Sequence, residues 1–165
     1  MKGVLSTVVS LAALVLLSNA AAAAAEEAPT RAEYVERVEP ICQANTEANQ
    51  RILENVKVKA RSKSPAAVRE AGAQFVRASS AFGSALKKIA SVPRPAADDA
   101  RLLKWFKYLG IVKVKLLMLG KALKAGEKIL AAHEQIRVER ASNAANNVGF
   151  VFEFHYCHLS ASNFS

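Results

Sequence analysis

The sequence predicts an all-α protein: an up-down-up-down four-helix bundle with an extended aromatic C-terminal tail tied back by a disulfide. Three observations lead there. Apolar residues recur in steps of three and four over four long stretches. The breaks between those stretches are short and hold proline, glycine and capping residues, so consecutive helices should run antiparallel. The final stretch, "FVFEFHYCHLSASNFS", abandons that period; aromatic residues alternate along its first half, and it carries one of only two cysteines.

Residues 1–25 read as a leader outside the fold. Lys2 supplies a positive start, "VLSTVVSLAALVLL" is an uncharged apolar run, and "SNAAAAAA" offers small-residue cleavage sites before Glu26. Retained, the same stretch would just reach across a bilayer. Alanine is a weak membrane residue, however, and the small-residue tract is what a signal peptidase recognises. No cysteine stands at the cleavage region, which excludes lipid attachment there. The expectation is an exported protein with no stable membrane span after cleavage and a single domain over residues 26–165.

The first helix opens at "PTRAEYVE". Thr30 is suited to cap it, and Glu33 stands three residues later, the reciprocal capping-box spacing. Tyr34, Val38, Ile41, Asn45, Ala48, Ile52 and Val56 form its stripe, and Pro40 should kink or restart it. "KARSKSP" is a basic linker, with Ser64 as cap and Pro65 at the first helical position. The second helix carries Val68, Gly72, Phe75, Ser79, Phe82, Leu86 and Ile89. "VPRPAADD" ends it and supplies acids suited to the next N-terminus.

The third helix starts near Asp98, with Leu102, Trp105, Phe106, Leu109, Val112, Leu116, Leu119 and Leu123 as its stripe. "VKVK" alternates like a strand, but it has no hairpin partner and the helical spacing continues on both sides. Gly126 is placed to terminate this helix. The fourth, from about Glu127 to Val148, uses Ile129, Leu130, His133, Ile136, Arg140, Ala144 and Val148.

Three blocks, "EYVERVEPICQANTEAN", "VPRPAADDARLLKW" and "SNAANNVGFVFEFHYC", span most of the predicted domain. Together they resemble a group of small secreted alanine-rich proteins of actinobacteria. That resemblance implies a helical bundle with one cysteine in its first helix and one in its tail, and it carries no catalytic residue across. The apolar "GIVKVKLLMLG" departs from the group.

Two cysteines in an exported chain, with no CxxC spacing, most simply pair with each other. Cys42 lies roughly 18 Å into the first helix at 1.5 Å per residue. An extended tail from Gly149 to Cys157 covers at most about 26 Å, enough to return to it. Alternation puts Phe150, Phe152, Phe154 and Tyr156 on one side, as a plug for the end of the bundle. The competing reading is a metal or redox site built from His155, Cys157 and His158, with His133 as a fourth ligand. Its spacing matches no zinc, haem or di-iron pattern, and "HEQIR" is one histidine short of a metalloprotease motif.

Asn45 and Asn49 on the first helix, and Asn143, Asn146 and Asn147 on the fourth, fall at helix ends that should be neighbours. They would line a polar pocket or form a structural amide network. Trp105, Phe106 and Tyr108 would be core, or else a stacking site. Lys104, Lys107 and Lys115 share one sector of the third helix, where they would meet an anionic surface or simply solvent.

Net charge is +9, falling to about +8 once Lys2 leaves with the leader. Export argues against nucleic acid as partner and leaves anionic cell-envelope components or another envelope protein. There is no Gly-rich phosphate loop, no G-x-S-x-G elbow and no carboxylate pair in distinct environments. The expectation is therefore a non-catalytic binding or envelope-associated module without cofactor. The alternative is a small-molecule carrier with a cavity between the helices, and the third reading is the metal or redox tail.

Overall fold

The computed structural model describes residues 28–160, and the expected leader lies outside them. Among the described residues the protein is all-helical, with no strand and five α-helices rather than four. They are α1 (Arg31–Ile52), α2 (Val56–Arg61), α3 (Pro65–Ala90), α4 (Asp99–Ala125) and α5 (Lys128–Gly149). Short 3-10 turns, Ala96–Asp98 and Phe150–Phe152, precede α4 and follow α5. No helix among the described residues is long and apolar enough to cross a membrane.

The cap of α1 is the one its sequence anticipates. The Thr30 amide donates to the Glu33 carboxylate at 2.7 Å, and the Glu33 amide donates back to the Thr30 hydroxyl at 3.3 Å. The helix does not restart at Pro40 but is continuous through it. Pro40 is exposed, so the carbonyl it strands meets water, while Tyr34, Val38 and Cys42 hold the opposite face in the core.

The helix stops earlier than its apolar stripe. Asn55 adopts a left-handed backbone (φ 58°), and the buried Gln74 amide donates to the carbonyls of Ile52 and Glu54 at 2.7 and 3.0 Å. Those bonds satisfy carbonyls at a helix end that would otherwise be stranded. Leu53 and Val56, both buried, draw the turn onto the protein body and start α2.

Ser64 caps α3 by accepting from the Ala67 amide, and Pro65 occupies its first turn. The third predicted stripe is buried except for the half-buried Phe106, and "VKVK" is helical. Gly126 ends α4 in the left-handed region (φ 77°), which glycine adopts without a Cβ penalty.

Pairwise registers fix how the helices run. The Ser79 hydroxyl donates to the Lys113 carbonyl at 2.8 Å, and a Cβ at Gly72 would lie 2.6 Å from the Gly120 carbonyl oxygen. So α3 and α4 are antiparallel and pack backbone to backbone at that glycine pair. Lys115 faces Glu134 while Trp105 lies against Gly149, which makes α4 and α5 antiparallel too. Gln74 against Ile52 sets α1 alongside α3. By contrast, α1 and α5 scarcely meet. The tail fills the space between them.

Two expectations need correction. The buried face of α5 is Ala131, Glu134, Val138, Ala141, Ser142, Ala145 and Gly149. The larger residues that suggested a stripe point outward: Ile129 is 79% exposed, Ile136 46%, and His133 and Arg140 are exposed. Small residues win this face because they let α5 approach α4 closely, whereas isolated exposed aliphatics cost little. The tail is not an extended alternating strand either. It begins with a 3-10 turn, and Glu153 takes a left-handed conformation (φ 52°) that breaks the alternation. Phe152 is consequently buried and Phe150 left in solvent.

Candidate functional site

The tail is held by four kinds of contact. Cys157 is bonded to Cys42, with Cα atoms 5.0 Å apart across a sequence separation of 115. The carboxylate of Glu39, one turn before Cys42, accepts the amides of His155 and Tyr156 at 2.6 and 2.8 Å. Asn146 on α5 clamps Leu159 from both sides of its peptide, accepting its amide at 2.8 Å and donating to its carbonyl at 2.7 Å. Phe154 stacks on Trp105 with ring centroids 5.0 Å apart, and Phe152 stacks on Phe154 at 5.2 Å. The tail thus joins α1 to α5 where helix packing does not. A disulfide of this kind suits an oxidising, extracytoplasmic setting.

The asparagines do not gather into one layer. Asn49 is buried and donates to Asn45 at 3.1 Å, and its own Oδ1 has no hydrogen-bond partner among the described residues. Asn146 is committed to the tail, while Asn143 and Asn147 are exposed. The void beneath the tail, lined by Asn45, Asn49, Trp105 and Tyr156, offers about 20 Å³. That is room for about one water, and far below the roughly 300 Å³ at which ligand pockets begin. A separate hollow at the tail, lined by Trp105, Asn146, Gly149, Phe150, Phe154 and His158, offers about 350 Å³.

The metal ligand set does not assemble. The sulfur of Cys157 is engaged with Cys42, so no thiolate stands between His155 and His158, which are both exposed. His133 is exposed on α5, and among the described residues no three His, Cys, Asp or Glu side chains come together as a metal site. Tyr34 is buried, and its hydroxyl has no hydrogen-bond partner among the described residues. Burial pushes its hydroxyl up to about 12, against a small opposing pull from Arg94.

Two buried carboxylates escape sequence reasoning. Asp98 accepts two bonds from the Arg31 guanidinium, at 2.8 and 2.7 Å; Arg31 also reaches the Val151 carbonyl and lies over the Phe152 ring. This ties the start of α1, the turn before α4 and the tail together. The hydrogen bonds from Arg31 hold the Asp98 carboxyl below its usual range, its burial opposing. A depressed folded-state pKa stabilises the protein above the ordinary carboxylate pKa, and the effect is lost as pH falls through the folded value. We predict that Asp98→Asn melts several degrees below the parent at neutral pH. The gap should narrow below about pH 4, where the parent loses the same interaction. A gap independent of pH would contradict the assignment.

Glu134 is the second. It is buried between Arg137 of its own helix, which donates to Oε1, and Lys115 of α4, whose ammonium lies 3.3 Å from Oε2 as an ion pair without hydrogen-bond geometry. Lys115 is therefore paired with Glu134, whereas Lys104 and Lys107 in the same sector are exposed and make no ion pair among the described residues.

A hollow of about 450 Å³ lies between α1 and α3, lined by Ile41, Ala44, Ala48, Ala81 and Ala85 with Lys88. Another concavity with an apolar floor lies at the other end of the molecule, where cations gather. A cleft of about 420 Å³ opens between α2 and α5. Phe75, Leu119, Leu123 and Ala131 form its floor, and Lys57, Arg61 and Lys128 its rim, with Gln135 beside them. All three cations are exposed, and none makes an ion pair among the described residues. Leu123 and Lys128 also line an adjoining hollow with Lys63, Arg69 and Lys124, so positive charge is concentrated at this end.

No family model, curated protein or solved structure matches this chain.

Proposed function

We propose that this is an exported, non-catalytic binding protein whose ligand site is the cleft between α2 and α5. In this reading residues 1–25 are a cleaved signal peptide. The four long helices act as an up-down-up-down bundle, into which α2 is inserted as one wall of the site. The observation that carries the proposal is the pairing of an apolar floor with a rim of three unpaired cations. A volume of about 420 Å³ is within the range of small-ligand sites. Apolar floor and cationic rim together fit an anionic amphiphile, its chain against Phe75, Leu119 and Leu123 and its headgroup toward Lys57, Arg61 and Lys128. This gives the carrier alternative a location in a surface cleft, away from the bundle interior beneath the tail.

Calorimetric titration of the exported protein with dodecanoate tests this. We expect one site per chain, weakened roughly tenfold by the double substitution Lys57→Glu and Lys128→Glu, since each exposed ion pair contributes up to about 1 kcal/mol. Absence of binding, or binding that the double variant leaves unchanged, would refute the site. Equal affinity for dodecanol would refute the role of the cations.

A second reading, attachment to the cell envelope, draws support from a different surface, the outer face of α4.

A further inference from the structure

Helix α4 packs against both α3 and α5, yet its remaining face is not the polar surface such a helix normally shows to water. Leu103, Ile111, Val114 and Met118 are between 36% and 52% exposed. At 3.6 residues per turn they fall, together with Lys104, Lys107 and Lys121, inside about 100° of arc on the side away from Leu109 and Leu116. The strip is about 27 Å long at 1.5 Å per residue. The three lysines are exposed and make no ion pair among the described residues. The only acid on α4, Asp99, lies at its start and is paired with Arg94.

Single exposed aliphatics are ordinary, but four large ones in one strip, interleaved with lysines and free of acids, form a pattern with a specific complement. A second copy of the chain packed on this face would bring lysines against lysines about a two-fold axis, with no acid in the strip to balance them. An anionic bilayer meets both components. The aliphatic side chains enter the headgroup region, and the lysines reach lipid phosphates on their flexible stems.

We propose that the outer face of α4 docks the exported protein peripherally on an anionic lipid bilayer. The proposal rests on the reading that the protein is exported, and it is independent of the α2–α5 cleft.

Co-sedimentation with vesicles tests it. The exported protein should bind vesicles of equal parts phosphatidylcholine and phosphatidylglycerol, and fail to bind phosphatidylcholine alone. High salt should weaken binding, since exposed charges are screened. Lys107→Glu with Lys121→Glu should reduce partitioning by more than tenfold, since each surface lysine is worth roughly fivefold. Val114→Asn with Met118→Asn should also weaken it while leaving the melting temperature unchanged. Dodecanoate affinity should be the same in these variants as in the parent, so failure of the cleft and failure of this face are separable. Indifference to phosphatidylglycerol, or full binding by the lysine variant, would overturn the proposal. So would a dimer in solution that Val114→Asn with Met118→Asn abolishes, because that result would make this face a self-association surface.

Discussion

Replacing Cys42 and Cys157 together with serine lowers the thermal unfolding midpoint by roughly 10–15 °C. The cross-link joins residues separated by 115 positions. The chain-entropy model assigns a loop of that length roughly 4–5 kcal/mol, before any strain is subtracted. For a domain of this size each kcal/mol moves the midpoint by about 3–4 °C. The other tail contacts do not compensate. The two amides held by the Glu39 carboxylate lie at an exposed site, where water competes for the same bonds. Because α1 and α5 scarcely touch, loss of the bond leaves α1 joined to α5 through the tail only by noncovalent contacts such as those of Glu39 and Arg31. Circular dichroism melts of parent and variant measure the effect. A shift below about 3 °C would mean that the other contacts suffice to hold the tail.

Trp105→Ala is the substitution expected to cost most among single residues, about 3–5 kcal/mol. Trp105 is the only tryptophan in the sequence and is almost wholly buried. It is where α4, α5 and the tail converge. Phe154 stacks on its ring and Phe106 tilts against it at 5.3 Å, while a Cβ at Gly149 would lie 3.1 Å from its indole nitrogen. Truncation leaves a void that these groups, held by α5 and the disulfide, fill only partly. Urea unfolding followed by circular dichroism should show a lower midpoint with an unchanged slope. A cost below about 1 kcal/mol would mean that the aromatic stack contributes little to holding this end together.

What the sequence made legible follows from how local each signal is. Caps at Thr30 and Ser64 and the terminator Gly126 act within a few residues, and the structure places each where its chemistry requires. The stripes of α3 and α4 were readable because large apolar residues there face the core. The α5 stripe was not, because the residues that pack are small and the large ones point out. An alanine stripe broken by a glutamate is a weak signal, although Arg137 three residues beyond Glu134 marks where an ion pair could form.

The end of α1 was missed for a different reason. It depends on Gln74, twenty or more residues away, donating to two carbonyls, and no local pattern reports that. Missing that end hid α2, and with it the wall of the cleft. The cysteine pair is legible from compartment and number, and the reach of the tail permits the bond that the structure holds. The asparagines were grouped by topology alone, and the structure separates them because Asn146 is taken up by Leu159.

The proposed ligand site is the cleft between α2 and α5 and not the void beneath the tail. This placement is tested most directly by amide chemical-shift mapping of the exported protein titrated with dodecanoate. The account predicts saturable shifts along Val56–Arg61 and around Lys128 to Gln135, with the amides of Asn45, Tyr156 and Leu159 unmoved. Shifts centred on the tail and α1, or none at any concentration, would contradict it.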